Sequence, residues 1–152
     1  MSVQRIRPAR LPADHEEMLR VLETANMHHV PSAEMHGFDV GEWYVAEAAG
    51  RIVGVAGFRL IHVDGRLTGK TTLLAVEPDQ RESGIGRALQ ELRMRLMREA
   101  GAERVITNAD RPETIAWYER HFGYRKVGEV PKLHEFGLAE VDRWTTLEAP
   151  LR

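Results

Sequence analysis

Leu73-Leu74-Ala75-Val76-Glu77-Pro78-Asp79-Gln80-Arg81-Glu82-Ser83-Gly84-Ile85-Gly86-Arg87-Ala88-Leu89 decides the reading of this chain. An apolar strand runs into a turn at Pro78, and the turn runs into a helix start that carries Gly84 and Gly86. The first amides of a helix lack intrahelical partners and sit at the positive end of its dipole, so an anion docked there gains several oriented hydrogen bonds. Glycine at 84 and 86 lets a phosphate lie on the backbone, where a Cβ would hold it off. Arg81 and Arg87 add mobile positive charge at the rim.

Two common phosphate-binding patterns fail here on spacing. The dinucleotide fingerprint G-x-G-x-x-G needs a third small residue, and Leu89 stands in its place. Upstream, Gly65-Arg66-Leu67-Thr68-Gly69-Lys70-Thr71 imitates a nucleotide-triphosphate loop but has three residues between its glycines instead of four, and an extended run, Thr72 to Val76, follows where a helix should begin. It reads as a solvated hairpin strand.

A third pattern fits at every position. Val76, Pro78, Arg81, Gly84, Ile85, Gly86 and Leu89 match V-x-P-x-x-[RQ]-x-x-G-[IL]-G-x-x-L, and the chain thereby resembles the GCN5-related N-acetyltransferases (GNAT). A later block, Ile115 to Gly128, is similar to that family's helix bearing a tyrosine, here Tyr118, which ends at Gly123-Tyr124 and enters a strand. The motifs cover Leu73 to Gly128, and the order of elements agrees along essentially the whole chain.

A chain of 152 residues with 43% hydrophobic content suits one domain, 1–152, with a single core. The net charge of -2 gives no general drive toward nucleic acid or an anionic membrane. The absence of cysteine removes disulfides, cysteine-ligated metals and a cysteinyl acyl-enzyme. Met1 to Arg10 has no apolar segment of a secretion signal and no apolar run is long enough to span a bilayer, so the expected setting is the cytoplasm.

Alternation predicts strands over Val3–Arg7, Trp43–Ala48, Arg51–Val63, Leu67–Val76, Arg104–Thr107, Arg125–Val130 and Trp144–Glu148, with hairpin turns at Ala49-Gly50 and Asp64-Gly65. Helical spacing predicts a first helix capped near Asp14 and carrying Met18, Leu19, Val21, Leu22 and Ala25. It predicts a second helix from Gly84 to Ala100 and a third from Pro112 to Gly123, with Arg93, Arg95, Arg98, Glu91 and Glu99 on the wet face of the second. Asn26–Gly41 reads as a long loop with room for a short helix. The fold class is α/β (α+β mixed): a central mixed, largely antiparallel sheet flanked by helices, which is also the family's order.

The resemblance implies acetyl transfer from acetyl-CoA to a primary amine, with a small metabolite as first choice of acceptor and a protein amino group as second. It implies that Arg81, Glu82, Ser83, Gly84, Ile85, Gly86 and Arg87 cradle the coenzyme's pyrophosphate, and that backbone groups of Leu74, Ala75 and Val76 hold its pantetheine arm and polarise the thioester. Tyr118 takes the position of the general acid: a phenol of reference pKa ~10 stays protonated at neutral pH and can protonate a thiolate whose conjugate acid lies at roughly 8–9. The alternative for Tyr118 is packing beside Trp117, and a non-catalytic acyl-CoA-binding module would not need the acid.

The chain departs from the family's pattern at the base. Lys70 and Ile106 occupy positions where some relatives carry a glutamate, and Arg111 stands where an asparagine is frequent, with Asn108 as the residue that would compensate. Glu77 reads as a solvated turn residue; His134 and Glu135 lie in a late loop, and proton loss through water is a further route. Met27, His29, His36 and His134 are the expected acceptor contacts, with one of Trp43 and Tyr44 facing the core and the other the pocket. Acidic residues of the late loop, Glu140 and Asp142 among them, would attract a cationic amine but read first as a solvated face. His28, His29, His36 and Asp39 lack metal-ligand spacing, so no metal is expected. The expected partners are acetyl-CoA and a small amine, with no nucleic acid or membrane, and a homodimer is left open.

Overall fold

The computed structural model describes residues 4–32, 35–133 and 136–152. Its elements in chain order are β1 (Gln4–Pro8), α1 (His15–Glu23), β2 (Glu42–Ala48), β3 (Arg51–Val63), β4 (Arg66–Val76), a 3-10 turn (Pro78–Ser83), α2 (Ile85–Glu99), β5 (Arg104–Ala109), α3 (Pro112–Phe122), β6 (Arg125–Pro131) and β7 (Arg143–Pro150). Val3, the expected start of the first strand, lies outside the described residues. The described strands form one sheet in the order β1-β2-β3-β4-β5-β7-β6, antiparallel throughout except for the parallel pair β4–β5. Both expected hairpin turns are two-residue turns with positive φ at each position, the geometry that matches strand twist.

Adjacent residues of β3 face opposite sides of the sheet, and so the core has two layers. Val55 packs with Met18, Val21 and Leu22 of α1, whereas Ala56 packs with Ile85 and Leu89 of α2. The far half of α2, through Met94 and Met97, shares a third cluster with Ile115 and Tyr118 of α3, Val105 of β5 and Leu147 of β7. A fully buried side chain such as Leu89 or Met97 contributes roughly 1.5–3 kcal/mol.

Three local expectations change. Asp14 precedes α1 but makes no side-chain cap bond, because its carboxylate accepts from Arg7 Nη1 at 2.7 Å and from the Arg10 N–H at 2.7 Å. Past the turn residue Gly65, the stretch Arg66–Thr71 is a strand, as expected, but not a solvated one: β4 lies in the middle of the sheet, and Thr68 and Thr71 are buried. Among the described residues of Asn26–Gly41 there is no helix.

Candidate active site

The parallel strands β4 and β5 touch only over Thr68–Lys70 and Arg104–Ile106, and then part. Beyond that point β4 remains paired to β3 as far as Val76, and β5 to β7 as far as Ala109. The gap is a cavity of about 410 Å³ walled by Leu73 to Val76, Thr107 to Ala109 and Tyr118. A bulge accompanies the parting: Ala56 opposes Leu74 and Phe58 opposes Thr71, so Gly57 alone faces both Thr72 and Leu73. Such an extra residue bends a strand and re-aims its side chains. Gly57 is glycine because a Cβ there would collide with Thr72 Oγ1 and lie 2.7 Å from Trp43 Cε3.

The bulge releases carbonyls from the ladder, and Arg93 takes them. Its Nη1 donates to Gly57 O at 3.0 Å and to Leu73 O at 3.1 Å, its Nε to Gln90 Oε1 at 3.0 Å, and its Nη2 to Gln90 Oε1 and, at 3.3 Å, to the Tyr118 hydroxyl. Arg93 was expected on the wet face of α2 and is 1% exposed instead. The signal was present in the sequence, since Arg93 stands four residues after Leu89 and four before Met97, inside the apolar stripe. No carboxylate among the described residues pairs with it, so a fixed positive charge borders the cavity and favours negative charge that develops there.

From Arg93 a buried hydrogen-bond chain continues. Gln90 Nε2 donates to Tyr124 Oη at 3.1 Å, Tyr124 Oη contacts Thr107 Oγ1 at 3.0 Å, and Thr107 Oγ1 contacts Thr71 Oγ1 at 2.8 Å. Burial, with the neighbouring Tyr118 adding to it, pushes the Tyr124 phenol up to about 12, so it stays neutral. Tyr118 is 4% exposed, lines the cavity and packs on Trp117 and Tyr124 at ring distances of 5.0 and 4.9 Å. Arg93 can only donate, so the Tyr118 oxygen accepts there and directs its own proton elsewhere.

At one end of the cavity, Val76 O accepts from Arg81 Nε at 3.2 Å. The Glu77 N–H bonds Val53 O, and alternation therefore turns the backbone of Ala75 toward β3 and leaves that of Leu74 and Val76 facing the gap. Past the 3-10 turn, Gly84 has φ of 86°, a left-handed conformation that itself favours glycine, and a Cβ there would meet nothing within 4 Å. At Gly86 a Cβ would meet Val76 Cγ2 at 3.6 Å, an ordinary contact, so nothing in the protein requires glycine there. Ile85 contributes its side chain to the core, and Arg87 pairs with Glu91 at 3.0 Å. Of the expected coenzyme contacts, Leu74, Ala75, Val76, Arg81 and Asn108 line the cavity, while Glu82 to Arg87 form the shelf beyond Arg81. Asn108 Oδ1 accepts from Thr146 Oγ1 at 2.8 Å.

The opposite end is walled by Met27, Met35, His36, Arg59, Lys70, Asp110, Arg111 and Trp144. Two loops meet over it: Gly137 N–H donates to Asn26 O at 3.1 Å, and Asn26 Nδ2 donates to Gly137 O at 3.2 Å. Lys132 anchors the second loop through buried bonds to Asp110 Oδ2 (2.8 Å), Phe136 O and Leu138 O, and lies 4.6 Å above the Trp144 ring. Met27 and His36 are thus on the wall; His29 does not line it but packs tilted against His28 and edge-on to Phe136, and His134 lies outside the described residues. Neither Trp43 nor Tyr44 reaches the cavity, since Trp43 is buried against Phe38 and Tyr44 stacks on Phe58. Glu77 is 4% exposed, bound to Arg20 and at 2.7 Å to Arg51, because the turn folds it back toward α1 and β3. Among the described residues no group of three or more His, Cys, Asp or Glu side chains is arranged to hold a metal.

Residues 10–124 match the model of the "Acetyltransferase (GNAT) family". The mycothiol acetyltransferase of Propionibacterium freudenreichii is 29% identical over 121 residues, which span 70% of this chain and 39% of that protein. An acetyltransferase of Bacillus subtilis solved in complex with CoA superposes with a TM-score of 0.77 at 16% identity, over 99% of this chain and 100% of the other. The ribosomal-protein-S18-alanine N-acetyltransferase of Escherichia coli gives 0.73 at 18% identity, over 98% and 94%. No described helix is long and apolar enough to cross a membrane. With the family model matched over most of the chain, the chain belongs to the GNAT acetyltransferase family.

Proposed function

We propose that this chain, acting over residues 1–152 as one domain, transfers an acetyl group from acetyl-CoA directly to a primary amine, with both substrates bound at once. The observation that carries the proposal is the parted β4–β5 edge, which brings backbone of Leu74 and Val76 that no neighbouring strand pairs on that side, together with Tyr118, onto the wall of one cavity. Acetyl-CoA supplies the activated thioester. The residues present fit it: Arg81 and the shelf through Gly86 suit its phosphates, the space before Gly84 is open, and Thr72 Oγ1 is a buried polar atom left without a partner at the wall.

In this reading the backbone N–H groups of Leu74 and Val76 bind and polarise the acyl end, and they cost little reorganisation because the sheet holds them in place. Tyr118 gives its proton to the departing sulfur, while the Arg93 guanidinium behind it orients the hydroxyl and stabilises the charge left on it. Of the described carboxylates, neither Asp110 nor Glu77 is placed to act as base: Asp110 is held by Lys132 and by the Leu138 N–H, and Glu77 lies off the cavity. The amine loses its proton to water, so turnover rises with pH as more of the acceptor is neutral.

The test is release of free thiol from acetyl-CoA against small amines and peptides with free amino groups. Release with one class identifies the acceptor. Tight coenzyme binding without release for any of them would leave a non-catalytic acyl-CoA-binding module in its place. A stoichiometric acetyl group appearing on a side chain without acceptor, and then passing to amine, would overturn direct transfer.

A further inference from the structure

The acceptor end of the cavity carries positive charge that the transfer of an acetyl group does not need. The described wall holds five cationic side chains, Arg59, Lys70, Arg81, Arg93 and Arg111, against two carboxylates, Asp110 and Glu113, in a chain whose net charge is -2. Three of the five have evident work. Arg81 lies at the phosphate end, Arg93 fills the bulge, and Arg111 faces Glu113 at 3.7 Å. Asp110 offers the cavity little charge, since Lys132 and the Leu138 N–H hold its Oδ2.

Arg59 remains, beside Lys70, which has partners of its own. They stand directly opposite each other in the β3–β4 register, where like charges repel at close range. Lys70 Nζ donates to Thr71 O at 3.4 Å. Arg59 is half-buried on the wall, and no described residue accepts a hydrogen bond from it or pairs with its charge. A half-buried guanidinium that ends in a cavity, next to a second cation, is a binding group for an oxyanion, which its planar fork of donors can hold through two parallel bonds.

We infer that Arg59, with Lys70 beside it, forms an anion subsite, and that the acceptor is therefore a primary amine carrying a carboxylate or a phosphate-type group at its far end. This rests on the transfer reading above and adds the class of acceptor to it. Of the acidic late-loop residues expected to gather a cationic amine, Glu140 and Asp142 do not line the cavity, and Glu135 lies outside the described residues. The neutral part of such a molecule would lie against Met27, Met35 and Trp144, with its amine toward Tyr118.

The experiment uses ω-amino acids from glycine to 6-aminohexanoate, the matching aminoalkylphosphonates, and unsubstituted alkylamines of the same lengths, each as acceptor with acetyl-CoA. The wild type should favour one anionic series over alkylamines by tenfold or more in kcat/KM, with the carboxylate and phosphonate arms telling the two oxyanions apart. Arg59→Gln should collapse that ratio to within about threefold, and Arg59→Glu should reverse it in favour of alkylamines, with melting temperatures showing that both variants fold. A wild type that favours alkylamines, or an Arg59→Gln variant that keeps the wild-type ratio, would overturn the subsite. If no member of any series is acetylated, the transfer reading fails separately. Calorimetric binding of 6-aminohexanoate and hexylamine then decides the subsite by itself: tighter binding of the acid that is lost in Arg59→Gln sustains it, and equal binding ends it.

Discussion

Tyr118→Phe separates catalysis from packing because the structure gives the hydroxyl and the ring different work. The ring keeps its contacts with Trp117 and Tyr124 at 5.0 and 4.9 Å. Arg93 loses only the longest of its bonds, 3.3 Å, and retains Gly57 O, Leu73 O and Gln90 Oε1. The stability cost is therefore about 1 kcal/mol, a fall of roughly 2–4 °C in melting temperature for a chain of this size. Losing a positioned proton donor lowers the chemical step by about 10²-fold or more, which is ~2.7 kcal/mol or more on the barrier. Coenzyme affinity depends on the β4 edge and the shelf and should stay within about twofold, an order-of-magnitude expectation for a residue acting in the transition state. The assay is single-turnover thiol release on a verified acceptor, with calorimetric binding of CoA in parallel. A single-turnover rate close to wild type would make Tyr118 a packing residue; equal losses of binding and rate would place it in coenzyme binding instead.

Gly86→Glu should move affinity and stability in opposite directions. It replaces glycine in the first turn of α2 with an acid favoured by the dipole, a gain of about 0.5–1 kcal/mol, while CoA binding weakens at least about tenfold by like-charge repulsion at a phosphate site; unchanged CoA affinity would refute the shelf. Arg93→Met leaves the Gly57 and Leu73 carbonyls without a donor, each costing ~1–3 kcal/mol, partly offset by relief from burying a charge. Urea denaturation should show a loss of about 2–4 kcal/mol, and wild-type stability would mean the bulge does not depend on Arg93. Tyr124 holds its proton in the fold up to about 12, whereas the unfolded chain releases it near 10.0, so its contribution is full below pH 10 and lost as pH rises toward 12. The stability difference between wild type and Tyr124→Phe should narrow by about 2–3 kcal/mol over that window, and a difference independent of pH would show that Tyr124 titrates normally.

What the sequence determined by itself is the local structure. The strand, turn and helix around Pro78 and Gly84, the hairpins at Ala49-Gly50 and Asp64-Gly65 and the helix ending at Gly123 follow from backbone preferences and periodicity within a few residues, and the resemblance to the family rests on the two motif blocks. Tyr118 was legible because a motif marks it. The tertiary structure decided what depends on which strands become neighbours and where their register slips. β4 and β5 part after three paired positions, and the bulge at Thr72 and Leu73 leaves carbonyls that only a buried donor can satisfy; for these reasons Arg93 turns inward from a helix otherwise lined with exposed arginines. The same nonlocal placement buries Glu77 between two arginines of other elements and sets Arg59 across from Lys70 on the cavity wall. A side chain's partners lie as far as 111 residues away along the chain, as with Asn26 and Gly137, and no period of 2 or 3.6 carries that information.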